Sequence, residues 1–230
     1  MWVNTGDKHG EHSMHLLSSK RYPEGKDLTK NDIVCITGDF GVLWRPSQTK
    51  EEKYWIDWLN DRPFTVCFID GNHENFERLN AIDEEDFLEG RAGQVSDNIY
   101  HLKRGQIYTY QGKKIFCFGG AASHDKAYRI EGITWWKEEE PSYSEVDFAL
   151  CNLKKHNNMV DYVITHTAPK AFISQISAFD NYLKCQTAEF LDNVVERIQF
   201  DQWFFGHMHV DHHAPEYKYN ALYNDFVRMI

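Results

Sequence analysis

The run "WFFGHMHVDHH", residues 203 to 213, carries four histidines in its last seven positions, directly after an aromatic and apolar stretch that reads as a buried strand. His207 and His209 are two apart, so on an extended backbone they share one face, roughly 6.5–7 Å apart along the strand. That spacing suits one metal ion or two neighbouring ions. A lone H-x-H is also common in solvated loops, and His12, His15, His101, His124 and His156 are scattered elsewhere in the chain. The meaning of the pair therefore depends on donors supplied by other parts of the sequence.

Such donors recur after apolar runs. The run "MWVNT" leads to "GDKHG" with Asp7 and His9, "IVCIT" to "GDFG" with Asp39, and "TVCFID" to "GNHE" with Asn72 and His73. Further on, "VDYVI" leads to "THT" with His166, and "QWFF" to "GHMH". Open α/β sheets build their sites at one end of successive strands, and this collection of oxygen and imidazole donors has that pattern. Carboxylate, amide and imidazole donors without thiolate suit Mn²⁺, Fe, Zn²⁺ or Co²⁺. Three oxygen donors with four of these imidazoles already exceed what one ion ordinarily uses, so two ions are expected. Glycine stands before the donor in four of these motifs, where tight turns and close backbone approach would bring separate strands to one pocket.

The elements that must position these residues are legible as short β-branched and aromatic runs, with "QIYTY", "KIFCFGG" and "YNDFVRMI" joining those above. Helical segments alternate with some of them. "TKEEKYWIDWLND" sets Trp55, Trp58 and Leu59 behind a charged first turn, "SEVDFALCNLKKH" opens at Ser144 and ends in cationic residues, and "TAEFLDNVVERIQ" places Phe190, Leu191, Val194, Val195 and Ile198 on one stripe. The stretch "IYHLKRGQIYTYQGKKIFCF", turning at Gly105 and Gly112, predicts consecutive antiparallel strands. Trp55, Trp58, Trp203, Phe204 and Phe205 are expected in the core. These elements together predict an α/β protein with a layered sheet core.

Composition narrows the class. At 230 residues with 42% apolar and 15% aromatic content the chain can bury a substantial core, and residues 1–230 are expected to form one domain. The formal charge of −10 opposes nonspecific binding of long nucleic acid, which needs clustered Lys and Arg; it is compatible with a small anionic substrate where metal ions supply local positive charge. Cys35, Cys67 and Cys117 lie inside apolar runs, as packed strand residues of a reducing compartment do. The sequence shows no span of 18 or more apolar residues and no charged-then-apolar leader pattern, so a cytoplasmic protein without membrane contact is expected.

With the motifs assembled, the chain resembles the calcineurin-like metallophosphoesterase superfamily, whose signature runs D-x-H, GD, GNH[DE], H and GHxH. Here these stand as Asp7-Lys8-His9, Gly38-Asp39, Gly71-Asn72-His73-Glu74, His166 and Gly206-His207-Met208-His209. "GDFGVLW", "GNHENF", "WWKEEEPS" and "THTAP" look like a group of small bacterial and phage members. The resemblance implies a four-layer α/β/β/α sandwich of mixed sheets. It further implies that Asp7, His9, Asp39 and His209 hold a first divalent transition-metal ion, that Asp39 bridges, and that Asn72, His166 and His207 complete a second. Manganese is favoured, with iron, zinc, cobalt or nickel as options. His73 corresponds to the residue that assists catalysis without binding metal.

The reaction so implied is hydrolysis of a phosphate ester by a metal-bridging hydroxide, the two cations clamping attacking and leaving oxygens. His73 would protonate the leaving oxygen or stabilise developing charge. One departure bears on substrate. The serine/threonine phosphatases of the superfamily read GDxVDRG, whereas Val42 and Leu43 replace that Asp and Arg here. A phosphodiester or nucleotide-like small molecule is therefore favoured over a phosphomonoester or phosphoprotein, and a non-catalytic metal-binding scaffold is the alternative of another class. Arg45, Arg104 or Arg129 could replace the missing phosphate contact, and Glu74 or Asp70 could orient His73. Residues 119–142, with His124, Asp125 and Arg129, are expected as a strand followed by a long loop that either lines the substrate pocket or lies on the surface anchored by Trp135 and Trp136, while His212 and His213 are expected outside the metal shells.

Overall fold

A computed structural model describes residues 1–176 and 183–230. Among these described residues, thirteen strands form two mixed sheets. The first contains β1 (Trp2–Thr5), β2 (Ile33–Ile36), β3 (Thr65–Phe68), β4 (Glu84–Phe87), β5 (Gly90–Ser96), β6 (Ile99–Leu102) and β13 (Phe226–Arg228), in the order β13-β1-β2-β3-β6-β5-β4. The second contains β7 (Ile107–Tyr110), β8 (Lys113–Phe118), β9 (Tyr162–Thr165), β10 (Gln202–Phe205), β11 (His212–Ala214) and β12 (Tyr219–Ala221), in the order β11-β12-β10-β9-β8-β7. In each sheet the central strands are parallel and the margins antiparallel.

Alternation along the central strands explains the layering. Both faces of each sheet are buried, so each strand reads as nearly continuous apolar sequence while odd and even residues enter different cores. Ile33 and Cys35 of β2, Cys67 of β3, Ile115 and Cys117 of β8, and Phe204 of β10 pack between the sheets. Their neighbours Val34, Ile36, Val66 and Phe68 instead meet Ile56 and Leu59 of α1 (Lys50–Asn60) and Phe76 and Leu79 of α2 (Phe76–Asn80). On the far side, Phe116, Val163, Trp203 and Phe205 meet Ala149 and Leu153 of α3 (Tyr143–Lys155), Phe172 of α4 (Lys170–Ile176) and Leu191 of α5 (Gln186–Val195). Three apolar interfaces separate four layers, helix, sheet, sheet, helix, as the sequence resemblance implies. Cys35, Cys67 and Cys117 are fully buried free thiols, and burial raises the pKa of each.

Three expectations are corrected. The runs on either side of Gly105 are not a hairpin: β6 pairs with β3 and β5 in the first sheet, and the chain crosses at Lys103–Gly105 to start β7 in the second. The turn at Gly112 does join an antiparallel pair, β7 and β8. Helix α3 starts one residue earlier than Ser144, with Ser142 as N-cap in a capping box: its hydroxyl accepts from the Glu145 N–H, and the Glu145 carboxylate accepts from the Ser142 N–H. After β8, residues 119–142 form no strand but two short 3-10 turns, Lys126–Tyr128 and Lys137–Glu139. Among the described residues no helix is long and apolar enough to cross a membrane.

Candidate metal centre and adjoining cavity

Parallel central strands of both sheets deliver the donors to one end. Asp7 and His9 follow β1, Asp39 follows β2, Asn72 and His73 follow β3, His166 follows β9, and His207 and His209 follow β10. The turns that present them are backbone-demanding: His9, Asp39, His207 and His209 sit at φ of 47°, 48°, 62° and 50°. Left-handed conformations at such residues cost on the order of 1–3 kcal/mol each, and persist where surrounding contacts hold them. Those contacts are visible. The Asp39 carboxylate accepts the His73 N–H at 2.8 Å, Asp7 accepts the His207 N–H at 3.0 Å, and the Glu74 carboxylate accepts the Phe40 and Gly41 N–H groups at 2.7 and 3.2 Å.

All four preceding glycines are required by space, and two of them make room for the carboxylates. A Cβ on Gly71 would collide with Oδ1 of Asp39, and one on Gly206 with Oδ1 of Asp7. The carboxylates occupy the volume that any other residue's side chain would need. Lys8, between Asp7 and His9, is buried and turned away from them. Its ammonium donates to Thr5 Oγ1 (3.0 Å), Gly6 O (2.8 Å) and Tyr223 O (3.2 Å), and burial lowers its pKa to about 8.

Ligand atoms of Asp7, His9, Asp39 and His209 all lie within 4.8 Å of one another. His9 Nε2 is 3.1 Å from His209 Nε2, which is 3.1 Å from Asp7 Oδ2, and His9 Nε2 is 3.6 Å from Asp39 Oδ2. The other oxygen of Asp39 faces a second group. His166 Nε2 is 3.4 Å from Asp39 Oδ1 and 3.1 Å from Asn72 Oδ1, and the rings of His166 and His207 are 4.8 Å apart. Asp39 thus lies between two sets of donors.

The donor chemistry fits cations. His166 Nδ1 is 2.9 Å from the Thr37 carbonyl, which can only accept, so Nδ1 carries a proton and Nε2 is the atom turned toward Asn72 Oδ1 and Asp39 Oδ1. Asn72 Nδ2 donates to Ser123 Oγ at 3.1 Å, leaving its Oδ1 as the inward atom. Lone pairs converging in a buried pocket repel unless a positive charge joins them. Burial alone would raise the Asp39 pKa, but the surrounding imidazoles of His166, His73 and His9, with the His73 N–H that donates to it, outweigh that penalty and hold the carboxyl below the usual range. Burial lowers the pKa of His9 and lowers that of His207 strongly, keeping both as neutral ligand-type imidazoles, whereas the hydrogen bond that His209 donates to Asp7 raises that of His209.

A supporting shell escaped the sequence reading. Glu139 accepts the Ser123 N–H and hydroxyl, both at 2.7 Å, so Ser123 Oγ is left to accept from Asn72 and fixes that amide's orientation. Metal-bound side chains commonly depend on such partners. Ser123 and Glu139 come from the 119–142 segment, and nothing in their spacing marked them. The two acids considered for His73 do other work. Glu74 holds the turn after Asp39, and Asp70 pairs with Arg104 at 2.6 Å and His101 at 3.1 Å. Arg104 is correspondingly buried and unavailable to a phosphate, donating also to the Glu138 and Glu139 carbonyls.

Arg129 reaches the site: its Nη2 is 3.4 Å from His73 Nε2, while its Nε pairs with Asp125 at 2.7 Å. The His124 ring lies 5.5 Å from that of His207. Arg45 is separate from both, on the wall of an open cavity of about 650 Å³ that begins at His9, His73 and His209. Trp44, Thr49, Glu11, Glu51 and Trp55 form other parts of that wall. Trp55, expected only in the core, is half-buried and faces this space too. Trp203, Phe204 and Phe205 are fully buried, and His212 and His213 are exposed on β11, His213 pairing with Asp225 at 2.9 Å.

Comparison with known proteins agrees with this geometry. The model of the calcineurin-like phosphoesterase family matches residues 5–211. Metallophosphoesterase domain-containing protein 1 of Homo sapiens and that of Mus musculus are each 26% identical over 194 residues, covering 77% of this chain and 54% of theirs. The chain thus spans about half the length of these curated relatives. The phosphopantetheinyl hydrolase PptH from Mycobacterium tuberculosis has a similar fold, with a TM-score of 0.51 at 14% identity over 96% of this chain and 89% of that one. With its four layers, its donor-bearing strand ends and a family match across residues 5–211, this chain belongs to the calcineurin-like phosphoesterase family.

Proposed function

We propose that the chain is a dinuclear phosphoesterase, in which Asp7, His9, Asp39 and His209 hold one divalent transition-metal ion and Asn72, His166 and His207, sharing Asp39, hold the other. The observation that carries this reading is the Asp39 carboxylate, whose two oxygens face separate donor groups on opposite sides. Manganese, iron, zinc, cobalt and nickel all suit the donor set. Two such ions supply Lewis-acid polarisation of a phosphoryl group and clamp its oxygens.

His73 lies beside this centre without facing into it as a ligand. Its N–H is tied to Asp39, its ring is 4.9 Å from that of His9, and its Nε2 faces Arg129. Burial lowers the His73 pKa, so the ring is neutral before substrate arrives. A phosphoryl oxygen entering between Arg129 and His73 takes a hydrogen bond from the guanidinium, and its negative charge raises the proton affinity of His73. Protonated in that way, His73 is placed to give its proton to the departing alcohol oxygen. Arg129 is thus our candidate for the phosphate contact, with His124 on the second-ion side and Arg45 on the cavity wall.

The substrate we favour is a phosphodiester or nucleotide-like small molecule. Val42 and Leu43, where protein phosphatases of the family carry Asp and Arg, are buried apolar residues that offer a phosphate nothing. The test is metal analysis followed by hydrolysis of paired p-nitrophenyl mono- and diesters with Mn²⁺. Two ions per chain with diester turnover, lost in Asp39→Asn, is the expected result. Tight stoichiometric metal with no ester turnover, and none lost in the variant, would instead leave a metal-binding scaffold.

A further inference from the structure

The cavity beside His73 is much larger than a phosphoryl group needs. Its volume of about 650 Å³ falls within the roughly 300–1,000 Å³ of sites that hold whole small molecules. It opens on His9, His209 and His73 and not on His166 or His207. The group that leaves phosphorus must depart past its proton donor, so with His73 as that donor the cavity faces the leaving alcohol.

Its lining states what that alcohol should carry. Trp44 stands 6.1 Å from the His73 ring and is held edge-to-face at 5.4 Å by buried Trp136. Trp55 adds a second indole, braced edge-on by Trp58 at 5.5 Å. Two fixed indoles favour a flat ring system over a flexible polar chain, because stacking needs a π-face and asks little reorganisation of the wall. Glu11 and Glu51 line the same space, so two carboxyls from separate elements, the turn after β1 and the first turn of α1, face one cavity. They call for N–H donors. The guanidinium of Arg45 and the hydroxyl of Thr49 complete a wall that is both donor and acceptor around an aromatic face.

We propose that this cavity is a leaving-group subsite for a nucleoside, its base stacked on Trp44 and presenting N–H groups to Glu11 and Glu51, a reading that rests on the phosphoesterase function above. Water adds to phosphorus and gives up one proton, the bond from phosphorus to the nucleoside oxygen breaks, and a proton passed through His73 joins that oxygen as the nucleoside's free hydroxyl, so that one water is consumed and His73 ends as it began. The products are a nucleoside and a phosphate or phosphate monoester. Trp44 and Trp55 determine which alcohol is accepted, and the bond broken is the same for any ester.

The experiment uses two probes on the full chain. The Mn²⁺-loaded protein is assayed on the methyl phosphodiesters of guanosine (through its 5′ oxygen) and of glycerol, and the ratio of their kcat/KM is compared between wild type, Trp44→Ala and Trp44→Phe. Calorimetry on the metal-free protein then measures binding of guanosine and of phenyl β-D-ribofuranoside, which stacks but offers no base N–H. Expected are a ratio that falls about 10-fold or more in Trp44→Ala, the scale of stacking on an indole, recovery of most of it in Trp44→Phe, and guanosine binding tighter than the phenyl riboside. An unchanged ratio in Trp44→Ala with the guanosine ester hydrolysed overturns the subsite, and equal binding of the two ribosides overturns the nucleobase. Guanosine binding weakened by Trp44→Ala, with no ester cleaved by any form, would keep the subsite and remove only the phosphoesterase reading. Neither binding nor cleavage would remove both.

Discussion

Replacing Arg104 by methionine would leave the Asp70 carboxylate buried without its cation. Arg104 donates to Asp70 Oδ2 from Nε at 2.8 Å and from Nη2 at 2.6 Å, and Asp70 is 1% exposed. Two charge-assisted hydrogen bonds at about 1.5–3 kcal/mol each set the gross loss, and breaking one side of a buried pair typically costs about 3–5 kcal/mol. His101 remains 3.1 Å from Asp70 Oδ1 and keeps the loss from growing further. We expect Arg104→Met to lose about 3–4 kcal/mol at pH 7 by urea unfolding, or near 10 °C in Tm at roughly 2–4 °C per kcal/mol. The pH dependence has a definite sign. Burial favours the neutral acid, but Arg104 and His101 outweigh it and hold the folded-state Asp70 pKa below its unfolded value, so the pair's stabilisation is complete above about pH 4 and disappears as pH falls through the folded pKa. In the variant, Asp70 reverts toward a buried neutral acid, so the deficit should be largest at pH 7 and shrink as pH is lowered toward 4. The same arginine holds the Glu138 and Glu139 carbonyls, so the segment bearing Ser123 and Arg129 should loosen and KM should rise. A loss under about 1 kcal/mol at pH 7, or a deficit that grows on acidification, would refute this account of the pair.

Other outcomes are equally specific. His73→Ala should retain both metals by elemental analysis while turnover drops by about 10²–10⁴-fold, the contribution of a positioned acid; loss of one metal would mean His73 is a ligand. Ser123→Ala removes the link from Glu139 to Asn72 and should weaken binding of the second ion about 10–100-fold in metal titrations while the first is retained. Gly206→Ala drives a methyl group into Asp7, so it should destabilise the protein by about 1–3 kcal/mol in chemical unfolding and lower first-ion affinity; a wild-type midpoint with full metal content would contradict the packing argument.

Much of the site was legible because its residues are local signals. Asp7, Asp39, Asn72, His166 and His207 each stand within a few residues of an apolar run, and strand ends are where such residues gather. Gly71 and Gly206 were readable as demands for close approach, though what they make room for, the Asp39 and Asp7 carboxylates, comes from distant sequence. Ser142 and Glu145 form an S-x-x-E signature that places the start of α3, and reading Ser144 as the start passed over that spacing. Strands β4 and β5 were invisible because "EEDF" and "GRAGQVS" lie at a sheet margin and carry little apolar alternation. The Gly105 turn misled for a related reason: two strand-like runs joined by a short turn look alike whether they pair or separate into facing sheets.

The sequence by itself determined the central strands, the main helices, the candidate donors and the strand ends that carry them, since periodicity and residue chemistry act over a few positions. Only the tertiary structure decided which charged groups are spent on the scaffold and which keep a face to the site. Asp70, Glu74 and Arg104 were equal candidates by type and nearness, but burial obliges each to find a partner, and the packing of the two sheets supplied Arg104 for Asp70 and the turn after Asp39 for Glu74. Arg129 and Arg45 kept their exposure to the site because the segments that bear them pack at its rim, and Ser123 entered it because residues far apart along the chain close on Asn72 in space.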